Sequence, residues 1–241
     1  MNVNRRSFIA SVSAITLTGL AGCSGVQEDI NLTADPVGLS NSTTQSLDLE
    51  LTEYITDSQT QEIATSSEGE PINVNFKLNI LIYNSQIQEE QSNLAFVSTG
   101  SHEIVGQEVN PVSQVTPKQI IQNVTSIEDQ SQIEDLGSVP LTHSEYGELE
   151  VQKYRTTIER VGEEISLINY GFTDKINETL ILGIGSHLEG NTQREESIKE
   201  GLASFEVPTN AVEGQEPTDL ADSTLSSVTN VDDIDMEELP F

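Results

Sequence analysis

The residues best suited to carry chemistry are few and far apart. The chain has one cysteine, Cys23, and three histidines, His102, His143 and His187. A thiolate can attack an electrophile, and imidazoles can hold a metal or move a proton. The three histidines share no metal-ligand spacing. Two Gly-Ser-His triplets, Gly100-Ser101-His102 and Gly185-Ser186-His187, suggest a nucleophile beside a base. Neighbours on a strand point to opposite faces, so neither serine can pass its proton to the adjacent histidine. The stretch "GIGSHLEG", residues 183–190, lacks a phosphate-loop lysine and the dinucleotide glycine spacing, and reads as a turn into the last helix. The acids near the C-terminus lack the glycine and ligand spacing of a calcium loop. The histidines are therefore expected at the surface or at sheet edges. No metal and no cofactor are expected, and the absence of a compact constellation points away from an enzyme.

Cys23 has a more informative setting. Arg5 and Arg6 precede an apolar run, Phe8 to Leu20, whose 13 residues end just before Ala21-Gly22-Cys23. As a helix that run reaches only ~20 Å, short of a ~30 Å hydrocarbon core. It fits the hydrophobic segment of a signal peptide, and no comparable run follows it. Arg5-Arg6-Ser7-Phe8-Ile9 resembles the twin-arginine export signal, with the general secretory route as the alternative. Leu20-Ala21-Gly22-Cys23 resembles the lipobox of prokaryotic lipoproteins. The resemblance implies removal of residues 1–22 and lipid attachment at Cys23 as a thioether, with two acyl chains sufficing for stable anchoring. With no second cysteine, an intramolecular disulfide is excluded. Four Asn-x-Thr sequons, at Asn31, Asn41, Asn123 and Asn177, are candidate N-glycosylation sites, and Asn41 has the most loop-like sequence around it.

Charge narrows the partners. Lys plus Arg total 10 and Asp plus Glu total 40, for a net charge of −30. Arg5 and Arg6 precede Cys23 and no acid does, so a chain starting at Cys23 has 8 bases, 40 acids and a charge of −32. Such an excess excludes nucleic acid, which requires cations to displace its counterions. It also disfavours adsorption to an anionic membrane face, so contact with the membrane is expected through the lipid on Cys23. Disorder, a divalent-cation sponge, and solvation of a folded protein in high salt all produce acidity. The apolar patterning disfavours the first, and scarce lysine with no tryptophan favours the last. At molar salt the screening length falls to about 3 Å and self-repulsion fades.

The elements that must position these residues are mostly strands. Leu47, Leu49 and Leu51 alternate with acids or polar residues. "INVNFKLNILIYN", residues 72–84, predicts a long strand with Ile72, Val74, Phe76, Leu78, Ile80 and Ile82 on one buried face. Residues 93–99 and 102–109 read as a strand pair around a Gly-Ser turn. Strands are also predicted over about 148–159, 163–173 and 178–187. Thr116-Pro117 marks a helix start, followed by an apolar stripe of Ile120, Ile121, Val124 and Ile127. A final helix is predicted in "NTQREESIKEGLASFEV", with a Thr192/Glu195 capping box and a Glu195–Lys199 ion pair. The expected organisation is a signal peptide over 1–22, a lipid-anchored tether over 23–28, one domain over 29–209 and a disordered acidic tail over 210–241. Strands following one another directly predict an α+β domain, a mainly antiparallel sheet with helices packed on one face.

Twin arginines, lipobox, acidity and a single domain together resemble haloarchaeal surface lipoproteins. "ADPVGLSNSTTQ" and "AFVSTGSHEIVGQEVNPVSQVTPKQII" are similar to a haloarchaeal lipoprotein domain family of unknown function, whose Gly-Gln…Asn-Pro segment would fall on Gly106-Gln107 and Asn110-Pro111. The closing "SFEV" block also resembles the end of PsbP-like domains. The first resemblance implies a lipid-anchored protein on the extracytoplasmic face of the cell membrane, and its domain is expected to bind a partner or ligand in the cell envelope without catalysis. The alternatives are an accessory subunit of a transport or electron-transfer complex, or an envelope enzyme.

Overall fold

Alternation of apolar and polar residues drives most of the described residues into strands. The structure, a computed structural model, describes residues 29–63, 72–86, 92–104, 107–108, 110–124, 132–160 and 163–219. The elements run β1 (Ile30–Leu32), β2 (Gly38–Leu39), α1 (Asn41–Ser46), β3 (Leu49–Ile63), β4 (Ile72–Ser85), β5 (Ser92–Gly100), β6 (Glu103–Ile104) and β7 (Gln107–Glu108). A 3-10 turn (Pro111–Gln114), α2 (Pro117–Val124), β8 (Ile133–His143), β9 (Gly147–Arg160), β10 (Glu163–Ile176) and β11 (Thr179–Leu188) follow. The described chain closes with α3 (Thr192–Leu202), β12 (Phe205–Glu206), a second 3-10 turn (Asn210–Val212) and β13 (Thr218–Asp219). The main sheet has the order β13-β3-β4-β5-β11-β10-β9-β8, with β1 added alongside β4. Pairing is antiparallel except where β1 joins β4 and β13 joins β3.

The predicted α+β class reduces to a sheet-rich fold, and the helices do not share a face. Tyr170 and Phe172 lie opposite Gly185 and Gly183, on the face that α3 covers. A Cβ on Gly185 would sit 2.4 Å from Ile198 Cγ2. Gly171, one residue away and so on the other face, would place a Cβ 2.5 Å from Pro117 Cβ at the start of α2. Glycine here removes the side chains that would hold each helix off the sheet. The α3 face carries the main core: Leu81, Tyr83, Leu94, Phe96, Tyr170, Phe172, Ile198, Leu202 and Phe205. Leu149 and Val151 of the β8–β9 hairpin join it. Ile121 of α2 packs with Ile133 and Tyr154 in a separate cluster.

β4 departs from its predicted single buried face. Val74, Phe76 and Leu78 pack with Leu32 in a second small core. Beyond Leu78 the buried residues become Leu81 and Tyr83, on the opposite face, while Ile80 and Ile82 are half-buried. The alternation is unbroken; what changes is the covering layer. Residues 34–37 cross the odd-numbered face at that point, held by Asn79 Nδ2 donating to the Ala34 carbonyl (2.8 Å) and Ser98 Oγ to the Asp35 carbonyl (2.9 Å).

Several predicted elements move. Within the predicted strand 102–109, Glu103–Ile104 (β6) pairs with Gln107–Glu108 (β7) and not with β5, whose partners are β4 and β11. The polar stretch 41–46 is helical, with Ser40 Oγ accepting from Thr43 N at 3.2 Å as its cap. The Thr116 cap holds and is reciprocal: Gln119 N donates to Thr116 Oγ1 (3.3 Å) and Thr116 N to Gln119 Oε1 (2.8 Å). The last helix is capped by Asn191, whose Oδ1 accepts from Arg194 N at 3.1 Å, rather than by Thr192. Residues 210–219, expected in the acidic tail, carry a 3-10 turn and β13 that touch the domain, while residues 213–218 are exposed. Thr209 Oγ1 donates to the Leu39 carbonyl (2.6 Å), Asn210 Oδ1 accepts from Asn41 N (3.1 Å), and β13 lies beside Ile55 and Thr56. Residues 220–241 lie outside the described residues, as do 1–28 and Ile127.

Gly185→Ala forces a methyl into Ile198 at the helix–sheet contact. It is expected to destabilise the domain by about 1–3 kcal/mol, read by chemical denaturation in molar salt, whereas Gly190→Ala in the open turn before α3 should leave that contact intact.

Candidate functional site

Among the described residues, a gathering of ionisable side chains lies where the first turn of α3 meets β9, β10 and β11. Asn191 starts the helix, and Glu195 follows in its first turn, where a carboxylate complements the helix dipole. Helical spacing turns Glu195 towards the sheet. There it accepts from Lys153 Nζ on β9 at 3.0 Å, from Lys199 Nζ one turn on at 3.1 Å, and from the Tyr170 hydroxyl on β10 through a short hydrogen bond. Both ammonium groups also approach the Tyr170 ring, at 5.2 Å for Lys153 and 6.0 Å for Lys199. On the far side His187 stacks on the same ring, 6.0 Å between centroids and 16° between planes.

These contacts set the protonation states. The Tyr170 hydrogen bond, with the two lysines, holds the Glu195 carboxyl down at about 2 against the cost of partial burial. Burial and the Glu195 charge push the Tyr170 hydroxyl well above its usual range. Burial alone would lower Lys199, but its bonds to Glu195 and Glu196 raise it. The cluster is thus a carboxylate fully served by cations and a phenol that stays protonated. It is arranged to clamp α3 to the sheet, and none of these groups is poised as a base.

His187, only 1% exposed, belongs to the same face. Burial lowers its pKa, and Nδ1 donates to the Leu188 carbonyl at 2.8 Å, so Nε2 carries the lone pair. Among the described residues, Nε2 has no hydrogen-bond partner. The residue directly across from His187 is Ser92 on β5, whose buried Oγ is likewise unpartnered. A serine and a neutral imidazole are therefore brought face to face, though from opposite strands and without a hydrogen bond between them. The serine adjacent in sequence, Ser186, points the other way and donates to Asn169 through a short hydrogen bond. Ser101, in the other triplet, bonds Glu108, while His102 is exposed.

The histidines correct the sequence expectation. His143 and His187 are buried, and only His102 lies at the surface. His143 Nε2 donates to the Phe205 carbonyl at 2.8 Å, and Nδ1 accepts from Glu145 N and Tyr146 N at 3.1 and 3.2 Å. Its ring stacks on Tyr146 and tilts against Phe205, each 4.5 Å away. Among the described residues, no three His, Cys, Asp or Glu side chains are grouped to hold a metal. "GIGSHLEG" is mostly strand rather than turn: β11 continues to Leu188, and only Glu189-Gly190 bends the chain.

The Asn-Pro segment has a structural task. Asn110 is fully buried; its Nδ2 donates to Thr99 Oγ1 and the Gly100 carbonyl, and its Oδ1 accepts from Val112 N at 2.9 Å. Glu108 ties the same loop through backbone amides of His102 and Asn110, each 3.0 Å, and through Lys175. Partial burial opposes its ionisation, but these donors and Ser101 lower its pKa.

Arg5, Arg6, Leu20, Ala21, Gly22 and Cys23 all lie outside the described residues. Asn31 is exposed on β1, Asn41 opens α1, Asn123 lies in α2, and Asn177 occupies the turn between β10 and β11. Sequence reasoning saw the Glu195–Lys199 pair but missed Lys153, Tyr170 and His187. They come from three separate strands, and only the sheet register aligns them.

The structure defines a sheet-rich, mainly antiparallel domain with its charged cluster at a helix–sheet junction. No family model and no curated protein matches the chain. Among solved structures, LpqN of Mycobacterium tuberculosis, described as involved in cell envelope biogenesis, is similar at a TM-score of 0.29 and 6% identity, over 69% of this chain and 95% of that one. A likeness of that extent transfers neither fold nor function.

Tyr170→Phe removes the leading donor to Glu195. The carboxyl titration, followed by NMR, is expected to rise from about 2 towards its ordinary value. Because the folded pKa is depressed, the associated stability is present above the unfolded value of 4.5 and fades as pH falls towards about 2. Glu195→Gln should flatten the melting-temperature profile across that same interval.

Proposed function

We propose that the chain is a lipid-anchored protein of the extracytoplasmic cell surface of a halophile, whose domain binds an envelope partner without catalysis. The observation that carries this reading is the order Arg5-Arg6, apolar run, Leu20-Ala21-Gly22-Cys23, with Cys23 the sole cysteine. In support, no helix among the described residues is long and apolar enough to cross a membrane. The charge of −30 suits a surface screened by concentrated salt.

The anchor also sets an orientation. Asp29 is six residues beyond Cys23, a reach of at most about 20 Å. β1 then pairs with the start of β4, Ile30 opposite Val74. On this reading the chain from Cys23 leads into β1 at the β3–β4 end of the sheet, while the N-terminus of α3 lies towards the other end.

Cys23→Ser should move the protein from the membrane fraction to the soluble or secreted fraction; a mutant still sedimenting with membranes contradicts the anchor. Separately, the melting temperature of the domain should climb steadily as KCl is raised from 0.1 M to molar concentrations. A flat or falling profile contradicts the halophilic reading.

A further inference from the structure

The four sequons are equivalent in sequence but not in the fold, and a chain exported already folded would present them as the fold leaves them. In a helix, residues two apart point in directions about 200° apart, so an asparagine and its sequon threonine diverge. Asn41 and Thr43 lie in the first turn of α1, with the Thr43 hydroxyl held by Ser40 at 2.9 Å. Asn123 is the penultimate residue of α2 (Pro117–Val124), and its sequon threonine lies outside the described residues. Asn31 is on β1, where its Oδ1 accepts from Asn75 Nδ2 at 3.1 Å. The backbone of its partner Thr33 is pressed against Gly100, where a Cβ would fall 2.7 Å from Thr33 N.

Asn177 differs in its exposure, its turn setting and its unengaged amide group, although Thr179 is, like Thr33, backed by Gly100. It sits at the tip of the β10–β11 hairpin, exposed, with φ +56°, a left-handed conformation that asparagine tolerates. The turn is fixed from below: Ser101 N donates to the Glu178 carbonyl at 2.7 Å. No hydrogen bond among the described residues engages the Asn177 amide group, and Thr179 begins the next strand.

We infer that Asn177 is the N-glycan acceptor of this protein. In the transfer, Asn177 Nδ2 bonds the anomeric carbon of an oligosaccharide carried on a lipid phosphate. The anomeric carbon–oxygen bond to phosphate breaks, the phosphate leaves with that electron pair, and the amide loses one proton. This inference rests on the extracytoplasmic reading, and its own failure is separable from failure of the anchor.

The test is mass spectrometry of the full chain expressed in a haloarchaeal host. Trypsin should release Ile176–Arg194, which contains Asn177 and no other sequon. The expected result is a series of saccharide increments on this peptide. They should disappear in Asn177→Gln and Thr179→Ala and persist in Thr179→Ser. Asn177→Gly, which keeps the left-handed turn, covers the case in which glutamine disturbs folding, and should also lack them. An unmodified Ile176–Arg194 peptide in protein whose Cys23 carries lipid overturns the inference, as does modification confined to Asn31, Asn41 or Asn123. Absence of lipid on Cys23 beside a glycosylated Asn177 overturns the anchor and leaves the inference standing.

Discussion

The main core depends on how closely α3 can approach β11. Ile198 and Leu202 reach the sheet because Gly185 and Gly183 offer no side chain beneath them, and Gly201 lets Leu94 meet the helix. That approach buries the faces of Tyr83, Phe96 and Phe172 and leaves room for Phe205 to pack against Phe96 and Phe172 at 5.7 Å. Close packing of this kind tolerates little added volume. It also brings the first turn of α3 down onto Tyr170, so that the clamp at Glu195 follows from the same three glycines. Arg194, 1% exposed, completes the seating from the neighbouring position by donating to the Leu47 carbonyl at 3.1 Å.

A chain with four acids for every base has to place its few cations carefully. Three of them link separate elements. Lys153 ties β9 to α3, Arg155 joins Glu134 of β8 to Glu189 beyond β11, and Lys175 holds the β6–β7 hairpin through Glu103 and Glu108. The exposed pairs each contribute little on their own. The Lys153 pair is different because it is three-quarters covered and shares its carboxylate with a phenol and a second lysine. Concentrated salt would weaken the outer pairs and relieve the repulsion among the acids. The partly buried clamp would be affected least.

What the sequence made legible was local. Strand patterning located β4, β5, β9, β10 and β11 to within a few residues. β8 was illegible: Pro140, Gly137 and many polar residues break the pattern of an edge strand, and the register slips between Asp135 and Ser138. The switch of buried face in β4 was hidden for another reason. Both of its faces are apolar beyond Leu78, so only the arrival of residues 34–37 decides which is covered. The helices were found, but not their faces, since a single glycine, Gly171, admits α2 to the side opposite α3. The candidate cluster was lost for the same reason as the topology. Lys153 and Tyr170 are cross-strand partners, but nothing in their sequence separation announces a register.

The two ends of the sheet differ. β4 spans 14 residues, roughly 45 Å at a strand's rise per residue, with β1 joining beside its first residues. The hairpin tip at Asn177 and the Ser101–Asn110 loop lie towards that end, bound together by Lys175, Glu108 and the Glu178 carbonyl. The start of α3, with His187, Ser92 and the Glu195 clamp, lies towards the opposite end. On the lipid-anchored reading, the end nearer the bilayer is thus built of loops cross-tied by charge. The end facing outward has its helix fixed by a saturated carboxylate. A partner approaching from outside would meet a junction whose Lys153 and Lys199 are already engaged, so selectivity there would come from shape and from the surrounding acids rather than from a free positive charge.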